Sequence, residues 1–144
     1  LEARTGQPVV VETRPGANGV VGMLAAKGAA PDGHTLVVAT TSTHAANPSM
    51  MRDLPYDPER DFTMVGYYAS NGTYLVVRPE APWRDVAALV AEARARPGTV
   101  SYGYFNASSQ VPGAYLGVVA GVDLLGVPYR AIGTAFADLM AGRL

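Results

Sequence analysis

Pro8-Val9-Val10-Val11-Glu12, with Gly6 ahead of it and Pro15-Gly16 behind, is followed by apolar residues at Val20, Val21, Leu24 and Ala25 and then by Thr35-Leu36-Val37-Val38-Ala39. The first run is β-branched and bounded by turn formers, so it reads as a buried strand. Asn18 stands where a helix cap belongs, and Gly28 and Pro31 stop the helical pattern. Pro31-Asp32-Gly33 then turns into a second strand, whose lack of polar alternation fits cover on both faces. Strand, helix and strand with short links make a parallel βαβ unit. That unit decides the fold class: α/β with parallel-rich sheets.

Working outward, Leu1-Glu2-Ala3-Arg4-Thr5-Gly6 reads as the tail of a helix closed by Gly6 and has no character of a secretory signal. The hydroxyl-rich stretch from Thr40 to Pro48 ends a strand and opens a short helix, and residues 54–62 form a proline-punctuated turn region. Residues 64–70 and 74–77 are expected as strands, with Asn71-Gly72 as a kink in one long crossing strand. Asp85 caps a helix through Arg96, residues 100–103 and 124–127 are strands, and helices are expected over 111–121 and 134–140. The chain therefore divides into two α/β blocks, 1–76 and 77–144. It stops where another strand is due.

The composition narrows the function. Lys+Arg 11 against Asp+Glu 12 in 144 residues gives a net charge of −1, which excludes the basic surface that a nucleic-acid binder needs. With 49% hydrophobic and 16% charged residues the chain can bury a core, and with no cysteine it has no thiol nucleophile, thiolate metal site or disulfide. No apolar run approaches the ~18 to 20 residues that span a bilayer.

In open parallel sheets ligands sit beyond the carboxyl ends of strands, where helix starts present free N–H groups and a dipole that favours anions. Three loops meet that description: Thr40 to His44, Gly103 to Ser109, and Pro128 to Thr134. Their hydroxyl and amide side chains suit recognition of a carboxylate by neutral donors, although the same residue types are the ordinary N-caps and turn formers of any α/β protein. Arg130 has the fork to hold a carboxylate bidentately, yet also the character of a solvated loop charge. His34 lies in a turn. The glycines of Gly16-Ala17-Asn18-Gly19-Val20-Val21-Gly22 only loosely match a dinucleotide-binding loop and are equally explained by helix packing. No metal-ligand spacing or nucleophile elbow occurs, and a Ser108 or Ser109 nucleophile would need a base when His44 lies in the other block. No catalytic residue, metal or cofactor is expected.

Taken together, several segments resemble one family. They are Gly6-Gln7-Pro8-Val9-Val10-Val11-Glu12-Thr13-Arg14-Pro15-Gly16-Ala17, Ala30-Pro31-Asp32-Gly33-His34-Thr35-Leu36, Thr43-His44-Ala45-Ala46-Asn47-Pro48, Leu54-Pro55-Tyr56-Asp57-Pro58, Asp61-Phe62, Leu75-Val76-Val77, Pro97-Gly98-Thr99-Val100-Ser101-Tyr102-Gly103 and Val127-Pro128-Tyr129-Arg130. Their order and spacing resemble the tripartite tricarboxylate transporter receptors, the TctC-like or Bug extracytoplasmic solute-binding proteins. The resemblance implies a type II periplasmic binding-protein-like fold, two α/β lobes around a cleft, incomplete in this chain. Lobe I would be 1–76 without its first strand, and lobe II 77–144 without its C-terminal part and the return to lobe I.

It further implies a periplasmic receptor that captures a small dicarboxylate, tricarboxylate or amino acid and hands it to membrane permease subunits. Backbone amides, hydroxyls and waters would hold the acid. By position, Thr40, Thr43 and His44 match the first-lobe loop, and Asn106, Ser108 and Ser109 the second-lobe helix start. Two departures bear on the ligand: the family's glycine-rich run is replaced by Tyr104-Phe105-Asn106-Ala107-Ser108-Ser109, and two glycines are lost at Ala131-Ile132. An exposed sheet edge would also offer itself to a second copy as a dimer contact. The competing readings are a small two-lobed transferase or hydrolase and an effector-sensing domain of a regulator.

Overall fold

The computed structural model describes residues 2–70 and 72–144. Helix α1 spans Glu2–Thr5 and is closed by Gly6 at φ 67°, whose N–H donates to the Glu2 carbonyl at 2.9 Å. After an extended stretch the chain makes a tight turn over Ala17–Gly19, with Ala17 and Asn18 at φ 45° and 55°, and enters α2, Val20–Lys27. Asn18 is not the cap of α2. That position falls to Gly19 at φ 88°, where a Cβ would stand 2.7 Å from Thr43 Cγ2, so glycine is required both by conformation and by space. Pro31-Asp32-Gly33 is a turn as expected, with Asp32 Oδ1 accepting from the His34 N–H.

Residues 42–46 form one turn of π-helix, continued by α3, Asn47–Met50. One core gathers here: Val20, Met23 and Tyr56, with Met51, Leu54 and Phe62 packed against them. A second core joins Leu89, Ala93 and Val100 with Trp83, Leu116, Val122 and Leu124. It belongs to α4, Val86–Ala95, capped by Asp85 through an Ala88 N–H donation of 2.7 Å, and to the elements that follow. Those are β1 (Ser101–Tyr104), α5 (Ala107–Ala120), β2 (Leu125–Pro128) and α6 (Ile132–Met140). Strands β1 and β2 pair in parallel, Ser101 opposite Leu125 through Tyr104 opposite Pro128. The βαβ unit of this molecule is therefore β1-α5-β2.

Tyr102 explains two glycines of that unit. A Cβ on Gly113 of α5 would overlap its ring, and one on Gly126 of β2 would lie 2.9 Å from its hydroxyl. Helix α5 begins four residues ahead of the expected 111 because Asn106 caps it, and it accommodates Pro112 at the loss of one i to i−4 bond.

The runs at 8–12, 35–39, 64–70 and 74–77, expected as strands, carry no regular secondary structure and enter no ladder among the described residues. Val10 and Val11 are 82% and 85% exposed and Val65 is 83% exposed. A strand satisfies its N–H and C=O groups only on another segment, so an apolar β-branched run becomes part of a sheet only once a partner lies beside it. The unit first read as βαβ supplies only its helix. The proposed kink at Asn71-Gly72 involves Asn71, which lies outside the described residues. No helix among the described residues is long and apolar enough to cross a membrane.

Candidate functional site

Two short sequences share a pattern: Thr40-Thr41-Ser42-Thr43 and Asn106-Ala107-Ser108-Ser109. Each opens a helical turn with a reciprocal capping box. In the first, the Thr43 N–H donates to Thr40 Oγ1 at 3.3 Å and the Thr40 N–H to Thr43 Oγ1 at 3.0 Å. In the second, the Ser109 N–H donates to Asn106 Oδ1 at 3.0 Å and the Asn106 N–H to Ser109 Oγ at 3.3 Å. Ser42 and Ser108 occupy the same place in their respective turns, two residues past the cap. They meet: their hydroxyls are 2.8 Å apart, and the Ser108 N–H donates to Ser42 Oγ at 3.1 Å, across 66 residues of sequence.

Two helix starts thus meet at their second residues, and the positive end of a helix dipole favours negative charge beside it. No acidic side chain takes part in its hydrogen bonds. A concentration of neutral donors without a carboxylate of its own is an environment that favours an anion from outside. Ser42 is 4% exposed, Thr43 is buried, and Ser108 and Ser109 are half-buried, so a group held here is partly withdrawn from water.

The support beneath the first loop is a buried polar chain. Tyr56 Oη donates to the Thr43 carbonyl at 2.6 Å, and Asn47 Nδ2, on a fully buried side chain, donates to Tyr56 Oη and to the Asn18 carbonyl, each at 3.2 Å. The left-handed turn at Ala17 and Asn18 is thereby fastened to the loop that carries Ser42. Strain of this kind persists where surrounding contacts over-determine it.

Of the residues singled out in the sequence, Thr40, Thr43, Asn106, Ser108 and Ser109 are gathered at this junction. His44 is turned away. Its Nδ1 lies 3.0 Å from Thr43 Oγ1 and its ring packs on Phe62 at 5.6 Å, along an open groove of about 870 Å³ that Lys27, Arg52 and Asp61 also line. There Lys27 Nζ lies 2.7 Å from Asp61, holding that carboxyl below its usual range together with the Asp57 N–H. Arg130 is exposed and forms no side-chain hydrogen bond or ion pair among the described residues. Its neighbour Tyr129 instead ties the loop after β2 to α6, donating to Asp138 Oδ2 at 2.8 Å while Arg143 Nε donates to Oδ1 at 2.7 Å. The Tyr129 bond, then the Arg143 one, pull Asp138 below the ordinary carboxylate range. Burial, then the Asp138 contact, pushes Tyr129 up. Ser42 was not among the residues selected from sequence, although the shared pattern of cap, any residue, serine, hydroxyl residue marks it.

Fold and junction together define a class: a mixed α/β protein in which two capped helix starts meet through their hydroxyls. Residues 1–144 match the model of the tripartite tricarboxylate transporter family receptor, and the chain belongs to that family. It is 36% identical over 141 residues to the UPF0065 protein in the tcbD-tcbE intergenic region of Pseudomonas sp. strain P51, covering 96% of this chain and 42% of that protein. It is 34% identical over 148 residues to protein BugT of Bordetella pertussis, covering 99% and 44%.

Among solved structures, one described as a periplasmic transporter superposes with TM-score 0.91 at 38% identity, covering 99% of this chain and 49% of its own. The R. palustris protein Rpa4515 with adipate superposes with TM-score 0.93 at 30% identity, covering 99% and 48%. MatC of Rhodopseudomonas palustris with bound malate gives 0.80 at 27% identity. The chain spans just under half the length of these relatives, and over that span it has the fold of the periplasmic binding-protein receptors.

Proposed function

We propose that the protein containing this chain is a periplasmic solute-binding receptor that captures a small organic carboxylate and delivers it to the permease subunits of a tripartite tricarboxylate-type transporter. The observation that carries this reading is the meeting of two capped helix starts at Ser42 and Ser108, with no acidic partner in their hydrogen bonds. The relatives described with adipate and with malate support carboxylate as the ligand class. Residues 1–76 and 77–144 are then the two lobes, each with one of the two cores. Thr40, Thr43, Asn106 and Ser109 shape the loops, and His44 and Arg130 contribute only if the cleft rearranges around the ligand. Binding rather than turnover is the activity, since the imidazole of His44 engages Thr43 and not the serines of the junction.

The test is calorimetry and thermal melting of the natural polypeptide that contains this sequence, against mono-, di- and tricarboxylates and acidic amino acids. Micromolar binding of one member, with a rise in melting temperature as mass action requires, is expected. No heat and no shift across the panel would overturn the reading.

A further inference from the structure

We infer that Ser42 is an intramolecular stand-in for the ligand: its hydroxyl occupies the Ser108 N–H at the start of α5 and latches the two loops together until a carboxylate oxygen displaces it. This rests on the carboxylate-receptor reading above. The capping box at the start of α5 takes up the Ser109 N–H and not that of Ser108, which Ser42 Oγ accepts at 3.1 Å. The Ser42 hydroxyl is at the same time 2.8 Å from Ser108 Oγ, so a pair of hydrogen bonds bridges segments that are otherwise 66 residues apart. Ser42 is held on this target from behind, because the adjoining Thr43 carbonyl accepts from Tyr56 and the Thr43 hydroxyl is consumed by Thr40. A neutral oxygen at a helix start is a weaker partner than a carboxylate, whose bonds to N–H groups are charge-assisted. The incoming acid therefore wins the site, but only after breaking the latch.

This makes Ser42 a positioning residue that sets affinity by competition, and the sign of its effect separates it from a direct ligand group. Removing the hydroxyl frees the Ser108 N–H without removing any donor that the acid uses. Ser42→Ala is expected to bind the preferred carboxylate about five-fold more tightly, the ratio that one neutral hydrogen bond contributes. Ser42→Cys, nearly isosteric and a poor acceptor, should follow Ser42→Ala and guards against a packing defect in the smaller variant.

The measurement is calorimetric affinity in the natural polypeptide, joined to ligand-free urea unfolding of the wild type, Ser42→Ala and Ser42→Cys. Tighter binding by both Ser42 variants supports the latch; weaker or unchanged binding overturns it and makes Ser42 an ordinary ligand group or a bystander. If neither the wild type nor the variants bind any acid of the panel, the receptor reading itself fails. The contact is then judged by unfolding alone: ligand-free Ser42→Ala and Ser42→Cys both less stable than the wild type uphold the latch, and equal stability overturns it.

Discussion

Asn47 shows how much a single residue carries in this molecule. Its side chain is fully buried, spans from the Asn18 carbonyl to the Tyr56 hydroxyl, and through Tyr56 reaches the Thr43 carbonyl behind Ser42. Truncating it takes away the partner of the half-buried Asn18 carbonyl and one of the two bonds of the buried Tyr56 hydroxyl, which keeps its donation to the Thr43 carbonyl. Asn47→Ala is expected to lower unfolding stability by about 2 kcal/mol, and Tyr56→Phe by about 1 kcal/mol, in urea melts monitored by circular dichroism. Equal stability for Asn47→Ala and wild type would mean that the chain of bonds does not hold the loop. Asn47 looks in sequence like part of an ordinary Asn-Pro turn start. Nothing in its spacing reveals that it is the tie between a left-handed turn 29 residues upstream and the hydroxyl loop.

At the level of elements, α5 is where sequence pattern and packing disagree most usefully. The strands before and after it lie within a residue or two of their expected bounds, but its cap, Asn106, and the reciprocal Ser109 start the helix four residues ahead of the expected 111. Gly113 in its interior lowers helix propensity by about 1 kcal/mol against alanine. Propensity alone therefore recommends Gly113→Ala as stabilising. The ring of Tyr102 in β1 fills the space that the new Cβ needs, and overpacking of this kind costs about 1–3 kcal/mol. Gly113→Ala is expected to destabilise on balance, and a Tyr102→Leu background should restore the propensity gain. A stabilised single variant in thermal melts would show that the α5-β1 contact is loose. The runs at 8–12 and 35–39 illustrate the opposite failure: their β-branched composition predicts strands that do not form among the described residues, because pairing is a property of two segments and composition describes one.

For the molecule as a whole, the two packed regions each carry a carboxylate held below its ordinary range, Asp61 by Lys27 and Asp138 by Tyr129 and Arg143. A depressed folded-state value means that the unfolded chain binds the proton more readily. The stabilisation is therefore complete above the unfolded carboxylate value of about 4 and is lost as pH falls below it. Stability against urea is expected to be flat from neutral pH to about pH 5 and to decline below about pH 4. Asp138→Asn and Asp61→Asn should each make that decline shallower, and an unchanged slope in both variants would remove these pairs as its cause. Because both carboxylates are partly open to solvent, added salt should reduce the effect.

The alternation of apolar runs, caps and turns in the sequence by itself determined the α/β class, the positions of α2, α4, β1 and β2, and the choice of the loops at 40–44 and 103–109 as the hydroxyl-rich helix starts. These are local quantities: a cap, a turn or a β-branched run is satisfied by its own neighbours. Which strands pair, that Gly19 and Gly113 make room for Thr43 and Tyr102, that Asn47 reaches Asn18, and that Ser42 meets Ser108 were decided only by tertiary structure. Each of those contacts joins residues far apart in the chain, and its energy exists only once both surfaces are in place.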